Sequence, residues 1–160
     1  MREGVVASGP DQRDLEVVWR TDGARIWRAI AAYACDADVA NDAVSEAFAQ
    51  ALGRIEEIRD PVAWLWRTSF RLATKELRAR ARASVLQQEA AYDLPEPLDD
   101  VFRAFERLSP NQRAAVLLHD YADRPTAEVA ETLGVSAATV RVHLSQGRRR
   151  LRGILKEHEG

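Results

Sequence analysis

Cysteine is nearly absent from this 160-residue chain: Cys35 stands alone, so no disulfide can close within it, and a reducing compartment is the natural expectation. Long apolar runs are absent as well. No stretch approaches the roughly 18 residues that cross a bilayer, and the opening MREGVVASGPDQRDLE lacks the apolar centre of a signal peptide. No membrane insertion and a cytoplasmic location are therefore expected. Glycine and proline number only 8 and 6, which leaves few breaks in a composition rich in Ala, Leu, Arg and Glu. His119, His143 and His158 have no metal-ligand spacing, Cys35 has no partner, and no Gly-rich phosphate loop occurs. Hence no catalytic set, metal or cofactor is expected. Cys35 reads as a small core residue rather than a redox sensor.

Apolar residues make up 46% of the chain, enough for a real core, and charged residues make up 30%. The net charge of −2 argues against a nucleic-acid binder until its distribution is considered. Residues 1–60 hold seven arginines against twelve carboxylates, whereas residues 61–83 hold six cations against Glu76 alone. Residues 84–108 return to acid, with two arginines against six carboxylates, and residues 109–160 carry eight cations against six acids. Two basic segments are thus separated by acidic ones. A DNA site needs a local positive field rather than a positive whole.

The apolar spacing predicts an all-α protein of two small helical domains. Leu15, Val18, Trp19, Ile26, Ala29, Ile30 and Tyr33 recur at helical spacing and predict a first helix from about Asp14 to Ala34. Ala40, Val44, Phe48 and Leu52 fall four apart and share one face of a second helix, beside Ala43, Ala47 and Ala51. Asp60-Pro61 reads as N-cap plus first helical residue of a third, which carries Trp64, Leu65, Thr68, Leu72 and Leu77 and ends in RARARA. From Ser84 to Asp100 the periodicity fades, with two prolines, five acids and no basic residue, so 84–100 reads as a linker between domains at 1–83 and 101–160. Ser109-Pro110-Asn111-Gln112 is a capping box, and Pro125-Thr126 opens a further helix.

The stretch TAEVAETLGVSAATVRVHLSQGRRRLR, residues 126–152, is the most informative. Val129, Ala130 and Leu133 face inward on a short helix, Gly134 stands where the chain must turn, Val135 plugs the corner, and Ser136 caps a second helix. Val140, Leu144 and Leu151 give that second helix its inner face. Ala137, Ala138, Thr139, Arg141, His143, Ser145, Gln146, Arg148 and Arg149 are left facing out, small at the leading edge and basic behind it. Such an edge suits a helix entering a major groove with arginines on flanking phosphates. Two packed helices with a solvated basic face would produce part of the pattern; the tight turn, the cap and the small leading residues favour a helix-turn-helix.

Residues 108–152, LSPNQRAAVLLHDYADRPTAEVAETLGVSAATVRVHLSQGRRRLR, resemble the promoter-reading C-terminal domain of bacterial RNA polymerase sigma factors of the sigma-70 family, most closely the two-domain extracytoplasmic-function (ECF) type. DADVANDAVSEAFAQAL and DPVAWLWRTSFRLATKELRAR are similar to that family's core-gripping helix and its helix for the melted promoter. The resemblance implies an alternative sigma factor whose partners are RNA polymerase core, promoter DNA and an anti-sigma factor. It implies core contacts at Asp42, Ala43, Ser45, Glu46 and Ala49, with Phe48 in the core. It implies a minus-ten surface of Trp64, Arg67, Arg71, Lys75 and Arg78, extended by Arg80 and Arg82, with the 53–60 loop where the family captures a flipped base. Arg71 and Lys75 stand where members usually carry Asn and Asp. A minus-thirty-five surface is implied at Thr126, Ser136, Ala138, Thr139, Arg141, His143, Ser145, Gln146, Arg148 and Arg149, with Val142 beside it. Glu89, Asp93, Glu96, Asp99 and Asp100 make the linker either a mimic of nucleic-acid charge or a plain solvated tether. The alternative function is a stand-alone helix-turn-helix regulator, or a sigma-like protein that binds core without initiating; an acidic core-binding helix followed by a basic, Trp-bearing helix favours the sigma factor.

Overall fold

Asp11, not Asp14, begins the first helix of the computed structural model, which describes residues 9–83 and 96–160. The Asp11 carboxylate accepts from the amides of Arg13 and Asp14 at 2.8 and 3.2 Å, while the Asp14 side chain accepts from the Asp11 amide at 2.7 Å. This reciprocal cap starts α1 at Gln12 and the helix runs to Ala34. Cys35 ends it in the left-handed region, φ 52°. Asp36 then caps α2, Ala37–Gly53, accepting from the amides of Asp38 and Val39. A single 3-10 turn, Ile55–Glu57, leads to α3, Pro61–Ala83, where the Asp60 carboxylate accepts from the Ala63 amide as its sequence position suggests.

These three helices pack on one another. The second group begins with α4, Glu96–Glu106, so the last five residues of the stretch read as a linker are helical. Residues 84–95, including Glu89 and Asp93, lie outside the described residues. The expected capping box opens α5, Pro110–Val116. A π-helical turn, Leu117–Tyr121, follows it directly. Then come α6, Thr126–Leu133, and α7, Ala137–Glu159. Among the described residues there is no β-strand. The buried side chains of both groups form one apolar cluster, joined where α1 meets α4, α5 and the π turn.

The buried faces differ from the expected ones in three places. Trp19 is 52% exposed, resting edge-on against Phe48 with ring centroids 4.8 Å apart. Leu52 is 49% exposed, on the rim of an open cleft that it lines with Gln12, Leu15 and Trp19 of α1. On α3 the fully buried residues are Leu65, Trp66, Ser69, Phe70 and Ala73, whereas Trp64, Leu72 and Leu77 are only partly covered. The inward face is rotated by about one position because α3 is gripped by α1 and α2 together, and a wide stripe at i, i+1, i+4, i+5 meets both.

Candidate nucleic-acid and partner surfaces

The helix-turn-helix is built by local chemistry. Gly134 sits at φ 67°, where a side chain would be strained, and the Val135 amide closes the turn onto the Ala130 carbonyl at 3.1 Å. The Ser136 hydroxyl accepts from the Thr139 amide at 3.1 Å and meets the Thr139 hydroxyl at 2.9 Å. Val129, Val140 and Leu144 are buried. Gly147 lets α7 reach α5: a Cβ there would stand 2.9 Å from Cγ2 of Val116 and 3.4 Å from the Gln112 carbonyl.

The ten residues expected on the promoter-reading face therefore divide. Ser136 and Thr139 spend their hydroxyls on the cap, and Thr126 is a half-buried residue opening α6. Gln146 accepts from Gln112 across to α5 at 3.1 Å. Half-buried His143 has its Nδ1 shielded from solvent. Arg148 is clamped by Asp120, whose two carboxylate oxygens take Nε at 2.8 Å and Nη2 at 2.5 Å, with Nδ1 of His119 at 3.4 Å. The hydrogen bond from Arg148 holds the Asp120 carboxyl below the usual aspartate range, and the same bond raises Arg148. What remains is a stripe along α7 of Ala138, Arg141, Ser145 and Arg149, spaced three, four and four, all exposed, beside the half-exposed Val142.

Trp64, Arg67, Arg71, Lys75 and Arg78 lie three and four apart, on a single stripe of α3. Trp64 is partly buried against the core. Arg71, Lys75 and Arg78 are exposed and make no ion pair among the described residues. Arg67 pairs with Glu131 of α6 at 3.0 Å. Arg80 is turned inward, holding the Asp36 cap at 2.7 Å and Glu76 at 3.0 Å. Arg71, Lys75, Arg78 and Arg82 line one wall of a cleft of about 400 Å³ whose other wall includes Asn111 and residues 131–134. The 53–60 loop is anchored by buried Ile58.

Asp42, Ala43, Ser45, Glu46 and Ala49 come together in one groove of about 640 Å³ between α2 and α3, closed on the far side by Leu72, Lys75, Glu76 and Ala79. Ala43 is 5% exposed and forms its floor. Phe48 turns away into the core, as expected.

Sequence reasoning missed the contacts between the two helical groups. Arg25 of α1 donates to the Tyr121 carbonyl and to the Asp123 carboxylate at 3.2 Å, and its guanidinium lies 5.2 Å from the centre of the Tyr121 ring. Cys35 lies near the same seam, its thiol pushed up to about 11, chiefly by burial. No three or more His, Cys, Asp or Glu among the described residues gather to hold a metal ion, and no described helix is long and apolar enough to cross a membrane.

Residues 98–151 match the family model of sigma-70 region 4. The RNA polymerase sigma-E factor of Streptomyces coelicolor is 33% identical to the chain over 127 residues, a match spanning 71% of this chain and 70% of that protein. The chain belongs to the ECF family of RNA polymerase sigma factors. The ECF sigma factor SigJ of Mycobacterium tuberculosis is 35% identical over 130 residues, 69% of this chain but 41% of SigJ. SigE of Mycolicibacterium smegmatis is 32% identical over 109 residues, again only 42% of that protein, so the chain spans less than half of these two relatives. Among solved structures, the sigma factor RpoE of Bartonella quintana, determined with the anti-sigma factor NepR, superposes with a TM-score of 0.75 over 90% of this chain and 98% of that one. CnrH, determined with the cytosolic domain of CnrY, gives 0.69 over 92% and 90%. Both are 20% identical to this ECF sigma factor, and the likeness is one of fold.

Proposed function

We propose that this chain is an alternative sigma factor that binds RNA polymerase core and directs initiation at particular promoters, acting in the cytoplasm as a specificity subunit without catalysis of its own. Residues 1–83 would hold core in the α2–α3 groove, through Asp42, Ala43, Ser45, Glu46 and Ala49. The carboxylates of Asp42 and Glu46, four apart, suit a basic partner surface. The stripe Trp64, Arg67, Arg71, Lys75 and Arg78 would follow the melted minus-ten strand, its cations on the sugar–phosphate backbone. Residues 84–100 would connect the domains, and residues 101–160 would read the minus-thirty-five element with α7. There Arg141 is the base-reading candidate, and Arg149 a phosphate contact. The other residues of the minus-thirty-five set, Thr126, Ser136, Thr139, His143, Gln146 and Arg148, would shape and position that face. An anti-sigma factor is a further proposed partner.

The observation that carries this reading is the pairing, in one chain, of a capped helix-turn-helix with an exposed leading edge and a separate helix whose Arg71, Lys75 and Arg78 have no acidic partner among the described residues. Purified chain mixed with core enzyme should co-elute and support run-off transcription from genomic fragments that core alone does not use. Co-elution without initiation would mark a sigma-like competitor, and no co-elution a stand-alone DNA-binding regulator. Arg141→Ala should cost roughly 1–3 kcal/mol at particular upstream base pairs, whereas Arg149→Ala should weaken all sequences alike and flatten the salt dependence.

A further inference from the structure

An apolar side chain stands at the centre of the outward face of α7. Val140, Leu144 and Gly147 mark the buried face of that helix. At 3.6 residues per turn Val142 lies about 200° round the helix from Val140, opposite the buried face. Val142 is 52% exposed. Its neighbours on that side, Ala138 one turn before and Ser145 one turn after, are short and exposed, so its isopropyl group stands clear between them.

Single exposed apolar residues are ordinary on a protein surface. Val142 differs because the polar groups of α7 leave one kind of base edge unread. Gln146 is the only carboxamide on the helix, and its side-chain oxygen accepts from Gln112 at 3.1 Å. Gln112 is 8% exposed and is held in turn by the Ser109 cap. A carboxamide reads adenine by accepting from N6 and donating to N7 together, and the bond to Gln112 holds Gln146 away from that task. The Thr139 hydroxyl is engaged with Ser136. No Asp or Glu occurs on α7 before Glu157, so no carboxylate there can accept from cytosine N4. Arg141, exposed and without an ion pair among the described residues, suits guanine. The one apolar group on the major-groove edges is the C5-methyl of thymine, and an isopropyl group can recognise nothing else there.

We propose that α7 reads an A·T pair of the upstream promoter element from its thymine side, with the Val142 isopropyl group packed on the thymine C5-methyl in the major groove. The proposal rests on the assignment of α7 to promoter reading. Val142 thereby sets specificity without a hydrogen bond, beside the guanine contact of Arg141. Burying one methyl group corresponds to about a fourfold change in affinity.

Uracil differs from thymine only in lacking that methyl group, so it deletes the partner of the contact from the DNA. Each upstream thymine, on either strand, is replaced in turn by uracil. The duplex is a genomic fragment that the chain and core use in run-off transcription or, where none is used, one that the full-length chain selects from a random pool. Affinities are measured for wild type, Val142→Ala and Val142→Ile, with helix content followed by circular dichroism. Comparing the variants on both duplexes separates a methyl contact from any altered deformability of uracil-bearing DNA.

In wild type, uracil at one position should weaken binding about threefold to fivefold. Val142→Ala should bind the thymine duplex more weakly by a similar factor and no longer distinguish uracil from thymine there, whereas Val142→Ile should keep the distinction. Uracil without effect at every position in wild type overturns the proposal, as does a uracil effect that Val142→Ala leaves unchanged. Initiation without methyl dependence sinks the valine contact alone. Methyl dependence without initiation supports the valine contact and sinks the sigma-factor reading. Failure to bind any duplex, with or without core, overturns both.

Discussion

In the first lobe, α1–α3, the centre is filled by bulk: Trp66, Phe70, Ile26, Ile30 and Leu65 are each at most 1% exposed, with Tyr33 and Trp66 ranged along Phe70 at 5.0 and 6.5 Å. In the second, the largest side chains buried to that degree are Leu118, Val129 and Val140. There the helices are set by an αL glycine at 134, a serine cap at 136 and the close approach at Gly147. One lobe is held by buried volume, the other by backbone geometry. A lobe placed by turns and caps fixes the direction of α7, as the proposed promoter-reading role of its outward stripe requires.

The comparison can be broken most forcefully at Trp66. Trp66→Ala should destabilise the first lobe by about 3–5 kcal/mol, read as a lower urea midpoint for tryptophan fluorescence. If the second lobe then melts in the same single transition, the shared apolar cluster couples the two and the contrast fails. Next in size is Gly147→Val, which drives a side chain into Val116 and should cost about 2–3 kcal/mol, followed by thermal unfolding and by loss of duplex binding. An unchanged melting temperature would show that α5 and α7 do not depend on that approach. Ser136→Ala should cost about 1 kcal/mol through the lost cap, with Ser136→Asn restoring most of it, as followed by amide exchange in the first turn of α7.

The smallest effect is expected at Asp120. Its folded-state carboxyl lies below the ordinary value of 3.8 because Arg148 donates to it, so its contribution to stability is present above that value and lost as pH falls through the folded one. The pair is exposed enough that well under about 1 kcal/mol is involved. Asp120→Asn should remove this part of the acid dependence of second-lobe unfolding and leave neutral-pH stability almost unchanged.

Much of the helix-turn-helix was legible from residues 126–152, because its determinants act over three or four positions: Ser136 reaches Thr139, and Gly134 needs only its own φ. The capping box at Ser109 was legible for the same reason. Less legible was which outward residue stays available. Gln146 and Arg148 read as groove-facing, yet each is met by a partner from a distant element, Gln112 and Asp120. The rotation of α3 that buries Trp66 and Phe70 was not legible either. Periodicity marks an apolar face, but the number of neighbours gripping it sets its width and centre.

By itself, then, the sequence determined the all-helical class, the caps and turns, the segregation of charge into alternating blocks, and the family, since these depend on composition and short spacing. Tertiary structure alone decided which cations are spent. Arg80 closes onto Asp36, Arg148 onto Asp120, Arg67 onto Glu131 and Arg25 onto Asp123, whereas Arg71, Lys75 and Arg78 keep none of these pairings. The reason is physical: an ion pair forms wherever folding brings opposite charges within reach, and across 28 to 98 residues of chain that proximity is a property of the packed helices, not of the spacing between letters.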